Sequence, residues 1–305
     1  MSLPEYAYFK GEIVPYAEAK VGVLTHALNY GTGVFGGVRA YKNDDNDKLY
    51  LFRPYDHYRR FLNSCKMMLM DFDESPESLT QITIDLVKKS DFTEDVYIRP
   101  LAYKSSEMIG VKLHDVEAEF SIVALPFGKY VANDTSAHVT ISSWRRLDDN
   151  VIPARGKISG AYANSAFIKT DAMRSGFDEA LVLTQAGHLS EGSAENVFIV
   201  RDGVLITPSV TENILEGITR RSVMELAAAE LGMEVVERPI DRTEVYICDE
   251  LFMTGTAAQV TAITKVDHRP VGDGVMGPVA AKLRDLFFDI VRAKNPKYAA
   301  WNVEV

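Results

Sequence analysis

Apolar and polar positions alternate with a period of two in short stretches at the start of the chain, then shift to a longer period. Residues 7–10 and 13–16 read as strands about a Gly11-Glu12 turn. Two more, 38–41 and 49–53, flank the polar hairpin loop 43–48. Helical spacing follows over 55–69 and 78–90, and strands return at 96–105 and 119–125. This order predicts an α+β domain over residues 1–126. Residues 127–137 are rich in turn formers, carry neither period, and predict an interdomain loop. A second domain, 138–305, opens with a strand over 138–144. A helix is predicted over 161–174, closed by Gly176, then strands over 179–184 and 196–200 and a tight Asp202-Gly203 turn into 204–207. The helix 218–231 stops at Gly232, strands follow over 250–254 and 260–266, and a last helix covers 278–293. No internal repeat interrupts this order.

Composition narrows the partners. Apolar residues make up 47% of the 305, enough for a substantial core. A net charge of −10 repels nucleic acid and anionic membrane, but leaves room for a small anionic ligand in a locally basic pocket. Cys65 and Cys248 lie far apart and in no paired motif, which predicts two reduced, buried thiols. Residues 1–20 have no apolar core of a signal peptide, and no apolar run reaches the roughly 20 residues of a membrane span. The expectation is a cytoplasmic protein with small-molecule partners, no nucleic acid and no membrane.

Several motifs are decoys. Residues 31–36 (GTGVFG) match the dinucleotide pattern, yet a strand rather than a helix follows and no acidic residue stands about 20 positions on at a strand end. The kinase loops H-R-D and D-F-G are absent. This run is read instead as a turn where backbone approaches something closely. Gly156-Lys157 lacks the first glycine and the Ser or Thr of a phosphate-binding P-loop. The six histidines fall at no metal-ligand spacing, and no G-x-S-x-G elbow is present, so neither a metal site nor a serine hydrolase is expected.

Lys157 carries the chemistry. It lies in Pro153-Ala154-Arg155-Gly156-Lys157-Ile158-Ser159-Gly160, where small neighbours leave space for a bulky planar group. Taken alone, the segment reads more readily as a solvated loop. Two places suit a phosphate: the helix start Gly217-Ile218-Thr219, with free N–H groups and a favourable dipole, and the turn Gly255-Thr256-Ala257-Ala258. A protonated pyridine nitrogen needs a carboxylate, and residues 189–196 (LSEGSAEN) offer Glu191 and Glu195 beside glycine.

Together these motifs resemble those of the branched-chain amino acid aminotransferases, within the fold-type IV pyridoxal-phosphate (PLP) enzymes. The resemblance runs through residues 9–13, 25–41, 52–61, 97–101, 142–144, the Lys157 segment, 190–196, 217–220 and 255–258. It implies a two-domain, D-amino acid aminotransferase-like α+β fold in which the small domain 1–126 roofs the substrate pocket. The large domain 138–305 would carry the PLP lysine and phosphate site. It implies Lys157 as the Schiff-base lysine, Tyr162 at the cofactor's phenolic oxygen, Glu191 at its pyridine nitrogen, and Arg60, Ile218, Thr219 and Thr256 around its phosphate. Tyr30, Phe35, Gly37, Arg39, Tyr97, Arg99 and Tyr130 match the family's pocket residues, with Tyr97 and the N–H groups of Thr256, Ala257 and Ala258 at the α-carboxylate. Aromatic walls suit Val, Leu or Ile, and Arg99 suits the distal carboxylate of glutamate. The implied reaction is transamination of branched-chain L-amino acids with 2-oxoglutarate, in a homodimer or higher homo-oligomer.

Two departures stand out: Gly36 where the family has Glu in F-E-G-x-R, and no Pro before Gly217. The first widens the question of substrate. D-amino acid aminotransferases, (R)-selective amine transaminases and aminodeoxychorismate lyases share the fold, while Tyr97-x-Arg99 and Phe35-x-Gly37-x-Arg39 favour the branched-chain reading. A catalytically silent binding protein of this fold would have lost Lys157 or Glu191, and both are present.

Overall fold

Period-two stretches become two sheets in the computed structural model, which describes residues 3–128 and 135–305. The chain divides into two units, one of residues 1–128, 156–161 and 289–305, the other of 129–155 and 162–288.

The first unit holds strands β1 (Tyr6–Phe9), β2 (Glu12–Pro15), β3 (Gly33–Phe35), β4 (Val38–Asn43), β5 (Lys48–Phe52), β6 (Val96–Lys104) and β7 (Ala118–Pro126). With a C-terminal strand, Asn302–Glu304, they form a sheet in the order C-terminal strand, β5, β4, β6, β7, β1, β2, and β3 pairs with β6. Its described helices are α1 (His26–Tyr30), α2 (Pro54–Met67) and α3 (Pro76–Lys89). The last starts two residues before its first periodic position. Ser75 caps it, accepting the Ser78 N–H at 3.2 Å while Ser78 Oγ accepts the Ser75 N–H at 2.9 Å, and Pro76 suits the first turn. The five-residue α1 and three-residue β3 were not expected, because neither is long enough to show a period.

The second unit holds β8 (Ala137–Arg145), β9 (Glu179–Leu183), β10 (Leu189–Gly192), β11 (Asn196–Arg201), β12 (Val204–Thr207), β13 (Val235–Glu237), β14 (Glu250–Gly255), β15 (Gln259–Val266) and β16 (Arg269–Pro270). The order is β10-β9-β8-β15-β14-β11-β12-β13, with β16 on β15. β8 runs parallel to both β9 and β15. β9 is buried at every position, as expected of a strand covered on both faces. One core joins Val139, Leu181, Ile199, Leu251 and Ile263. Helices α4 (Tyr162–Arg174) and α5 (Ile218–Leu231) belong here, and Gly232, at φ 63°, ends α5 with its N–H on Ala227 O. The last α-helix is α6 (Pro278–Val291), and a short 3-10 helix, Pro296–Trp301, follows it. Asp202 and Gly203, at φ 52° and 77°, make the hairpin turn between β11 and β12.

Sequence alone placed Lys157 and the C-terminus with a domain spanning 138–305; the structure differs. Residues 156–161 fold with the first unit because the chain there bridges Val34 to Ile158, Phe35 N–H donates to Lys157 O at 3.0 Å, and Gly160 N–H donates to Gly31 O at 3.0 Å. The C-terminal strand joins β5. Of the expected loop 127–137, residues 129–134 lie outside the described residues, and Ala137 already belongs to β8. Among the described residues no helix is long and apolar enough to cross a membrane. Cys65 and Cys248 are free and buried, and burial pushes both thiols up to about 12.

Candidate cofactor and substrate site

The glycine-rich run 31–37 is where the lysine segment docks. Gly31 ends α1 at φ 67°, and a Cβ there would stand 2.8 Å from Gly160 Cα. A Cβ on Gly33 would stand 2.9 Å from Ser159 Oγ. Both glycines are therefore spacers that admit the Lys157 strand, the close approach the sequence suggested. Lys157 N–H donates to Ser64 Oγ at 3.3 Å, and that hydroxyl donates to Arg60 O at 2.9 Å, which ties the lysine's backbone to α2. Arg60 itself is half-buried on that helix.

The Lys157 amine stands 5.0 Å from the centroid of the Phe35 ring. The Arg99 guanidinium lies 4.6 Å from the same ring and 5.1 Å from that of Tyr97, and its Nη2 donates to Tyr97 Oη at 2.9 Å. Gly37 makes room for that phenol, since a Cβ would come within 2.5 Å of Tyr97 Oη. Arg39, 3% exposed, donates through Nη2 to Phe127 O at 2.8 Å and Gly128 O at 3.2 Å, with Asp95 Oδ2 at 3.5 Å. Arg99 Nε and Arg39 Nε and Nη1 are buried without a hydrogen-bond partner among the described residues. Such orphaned donors are costly, and an arriving acceptor would relieve them. Phe35, Gly37, Tyr97, Arg99 and Lys157 thus come together. Tyr30 is held otherwise, by the Gly110 N–H at 3.0 Å and the His26 ring at 4.7 Å. Tyr130 lies outside the described residues.

In the second unit Glu191 is 4% exposed and fully engaged. Arg146 Nη2 lies 2.8 Å from Oε1, while Oε2 accepts the Leu215 N–H at 3.0 Å and Asn196 Nδ2 at 3.3 Å. Asn196 also donates to Leu215 O at 2.8 Å, and a Cβ on Gly217 would collide with its Oδ1. The acid and the start of α5 are therefore fixed by one amide, and only glycine fits at 217. Gly217, at the N-cap of α5, has no side chain to bond the first-turn N–H groups around Ile218 and the buried Thr219. A helix start of this kind suits an anion such as phosphate. Thr256, Ala257 and Ala258 form the turn between β14 and β15, closed by Thr261 Oγ1 donating to Ala258 O at 2.7 Å. Tyr162 opens α4. Within the second unit, the helix start and the ion-paired buried acid suit the anion and ring nitrogen of pyridoxal phosphate; the first unit, taken by itself, offers an amine beside an aromatic face, which suits an aldehyde.

Arg146 and Asn196 were missed as functional candidates. Arg146 sits in an Arg-Arg pair that reads as surface charge, and no sequence signal singled it out. Asn196 adjoins glutamates already noted, and only pairing geometry shows its reach. Glu195 was noted as an alternative to Glu191; in the fold its carboxyl accepts the Ala194 N–H at 3.0 Å, away from Arg146.

Residues 33–266 match the family described as amino-transferase class IV. A probable branched-chain-amino-acid aminotransferase of Aquifex aeolicus is 45% identical over 297 residues, 97% of this chain and 96% of that protein. The PLP form of a branched-chain amino acid aminotransferase from Thermobaculum terrenum superposes with a TM-score of 0.94 at 38% identity, covering 99% and 98% of the two chains. The crystal structure with norvaline of a branched-chain aminotransferase from Thermoproteus uzoniensis gives a TM-score of 0.94 at 40% identity over 98% of both chains. On this likeness, which spans both sheets, the chain belongs to the class IV aminotransferase family, of fold type IV.

Proposed function

We propose that this protein is a pyridoxal-phosphate-dependent branched-chain-amino-acid aminotransferase, moving amino groups from Leu, Ile and Val to 2-oxoglutarate. The observation that carries the activity is the 45% identity over 97% of the chain to a relative of that name. The assignment of residues is supported by the Lys157 amine beside Phe35, in one unit with Tyr97 and Arg99.

When bound, pyridoxal phosphate supplies an electron sink for the pair left at the substrate's Cα as its proton departs. Lys157 supplies the amine that attaches the cofactor and, once freed, moves the proton at Cα. Glu191, paired with Arg146, binds the ring nitrogen and its proton. Tyr162 donates to the phenolic oxygen. Arg60, the N–H groups of Ile218 and Thr219 and the Thr256 hydroxyl hold the phosphate. Tyr97 and the N–H groups of Thr256, Ala257 and Ala258 orient the α-carboxylate. Phe35, Tyr30, Tyr130, Gly37 and the packed Arg39 shape the aliphatic pocket, and Arg99 takes the distal carboxylate of glutamate.

Lys157→Ala should lower the half-reaction rate with L-leucine by at least about 10²–10⁴-fold, the usual contribution of a positioned acid–base group. Borohydride reduction of the wild-type holoenzyme should place the pyridoxyl label on Lys157. A label elsewhere defeats the assignment. Faster half-reactions with D-alanine or (R)-1-phenylethylamine than with L-leucine defeat the substrate reading.

A homo-oligomer is part of the same proposal. Val21, Val23, Leu24, Leu28, Ile109 and Val111 are all exposed, at 45–80%, on α1 and two loop segments joined by a Thr25–Glu107 bridge and a Met108 N–H to Leu24 O bond of 3.2 Å. An apolar face of this kind suits a second copy of the chain. Sedimentation should give at least a dimer, and a monomer at micromolar concentration overturns it. The reduced thiols and acidic charge support a cytoplasmic location, which cell fractionation checks.

A further inference from the structure

Buried acids in the second unit outnumber the cations set against them. Glu179, Glu191 and Glu195 are 1%, 4% and 4% exposed. Lys169 Nζ, from α4, lies 2.6 Å from Glu179 Oε2 on β9, and Arg146 Nη2, just after β8, lies 2.8 Å from Glu191 Oε1 on β10. Each of those acids thus has its own base. Glu195 has none. Among the described residues its carboxyl makes one hydrogen bond, accepting the Ala194 N–H at 3.0 Å on Oε2.

The backbone around this carboxyl encloses it closely. Residues 193–195 join β10 to β11, and the Gly192 N–H donates to Glu195 O at 2.7 Å, which turns the side chain back over its own loop. A Cβ on Gly192 would stand 2.8 Å from Glu195 Oε2, and one on Gly255 would stand 3.8 Å from its Cγ. A side chain at 192 would require the Glu195 carboxyl to shift. A buried carboxylate with no cation is far costlier than the neutral acid. Burial is the main influence, joined by repulsion from Glu179 and Glu191 and opposed by the Ala194 N–H and Lys169; together they push the group from its ordinary 4.5 up to about 8.

We propose that Glu195 carries the proton this charge imbalance demands, and that as a neutral acid it is a positioning residue for Glu191. The groups that face it are Glu179, Lys169, Glu191 and, beyond Glu191, Arg146. While Glu195 is protonated, Arg146 and Lys169 are each balanced by one carboxylate, and Glu191 keeps its bonds to Arg146, Asn196 and the Leu215 N–H. When Glu195 ionises, a second anion appears at the turn that follows β10 and alters the field at Glu191. The positioning half of this proposal rests on Glu191 as the ring-nitrogen partner; the proton on Glu195 does not.

The test is an infrared pH titration of the holoenzyme, comparing wild type with Glu195→Gln. The wild type should show a buried carboxylic-acid carbonyl band that disappears with a midpoint near pH 8, and the variant should lack it. The holoenzyme's visible cofactor band should shift over the same pH range in the wild type and stay level in Glu195→Gln. No acid band in the wild type, or one that persists in the variant, overturns the proposal. A cofactor band that titrates identically in both overturns the positioning role. If Glu195→Gln does not fold, the wild-type infrared titration decides alone. Glu191→Gln separates the two readings: a cofactor band indifferent to that change counts against Glu191, while the Glu195 carbonyl band is still read independently.

Discussion

The two units bury opposite surpluses of charge and resolve them by different chemistry. In the first, Arg39 and Arg99 are sunk among Phe35, Tyr41, Tyr97 and Phe127, with guanidinium-to-ring distances of 4.6–5.6 Å. A guanidinium cannot shed its proton, so the surplus stays and is met by aromatic faces, carbonyls and an incoming anion. In the second unit the surplus is acid, and a carboxyl can take up a proton instead. Burial therefore leaves charged guanidinium groups against aromatic faces and carbonyls in one unit and favours a neutral acid in the other. On the proposed function, a substrate carboxylate would belong with the first, and a ring nitrogen with Glu191, the carboxylate of the second that is paired with Arg146.

Breaking the paired acid should have the largest effect on stability. Arg146→Met leaves Glu191 buried without its cation, a change that costs about 3–5 kcal/mol in comparable pairs. Urea unfolding of the variant checks it, and a midpoint equal to wild type would mean Glu191 does not depend on Arg146.

The unpaired acid should show itself through pH. Folded Glu195 keeps a proton to about pH 8, whereas the unfolded chain loses it near the ordinary 4.5. The folded state thus binds more protons between those values, and stability falls as pH rises. The advantage of Glu195→Gln over wild type should open from about pH 4.5 to about pH 8, then hold constant, reaching on the order of a few kcal/mol. Parallel pH–stability curves would contradict a proton on Glu195.

The cation surplus should be felt in binding. Arg99→Met removes a charge-assisted bond worth about 1.5–3 kcal/mol, so KM for L-glutamate should rise by roughly 10–150-fold. KM for L-leucine should change little, and an equal rise for both substrates would reduce Arg99 to a packing role.

Much of this was open to reading in one dimension. Helices α2, α3 and α5 announce themselves through their period, and Gly232 and Asp202-Gly203 mark their turns because only certain residues tolerate positive φ. Lys157, Glu191 and the start of α5 were legible because small residues flank them and their spacing matches a family pattern. Elements as short as α1 and β3 left no period to detect.

What a sequence determines by itself is therefore local: propensity, periodicity, turn chemistry and the identity of reactive groups, all set by neighbours along the chain. Tertiary structure alone decided that residues 156–161 join the first unit, that Arg146 meets Glu191, and that Glu195 is left without a base. Those outcomes depend on which distant segments share a low-dielectric interior. Charge balance in such an interior is a property of volume, and chain order does not record it.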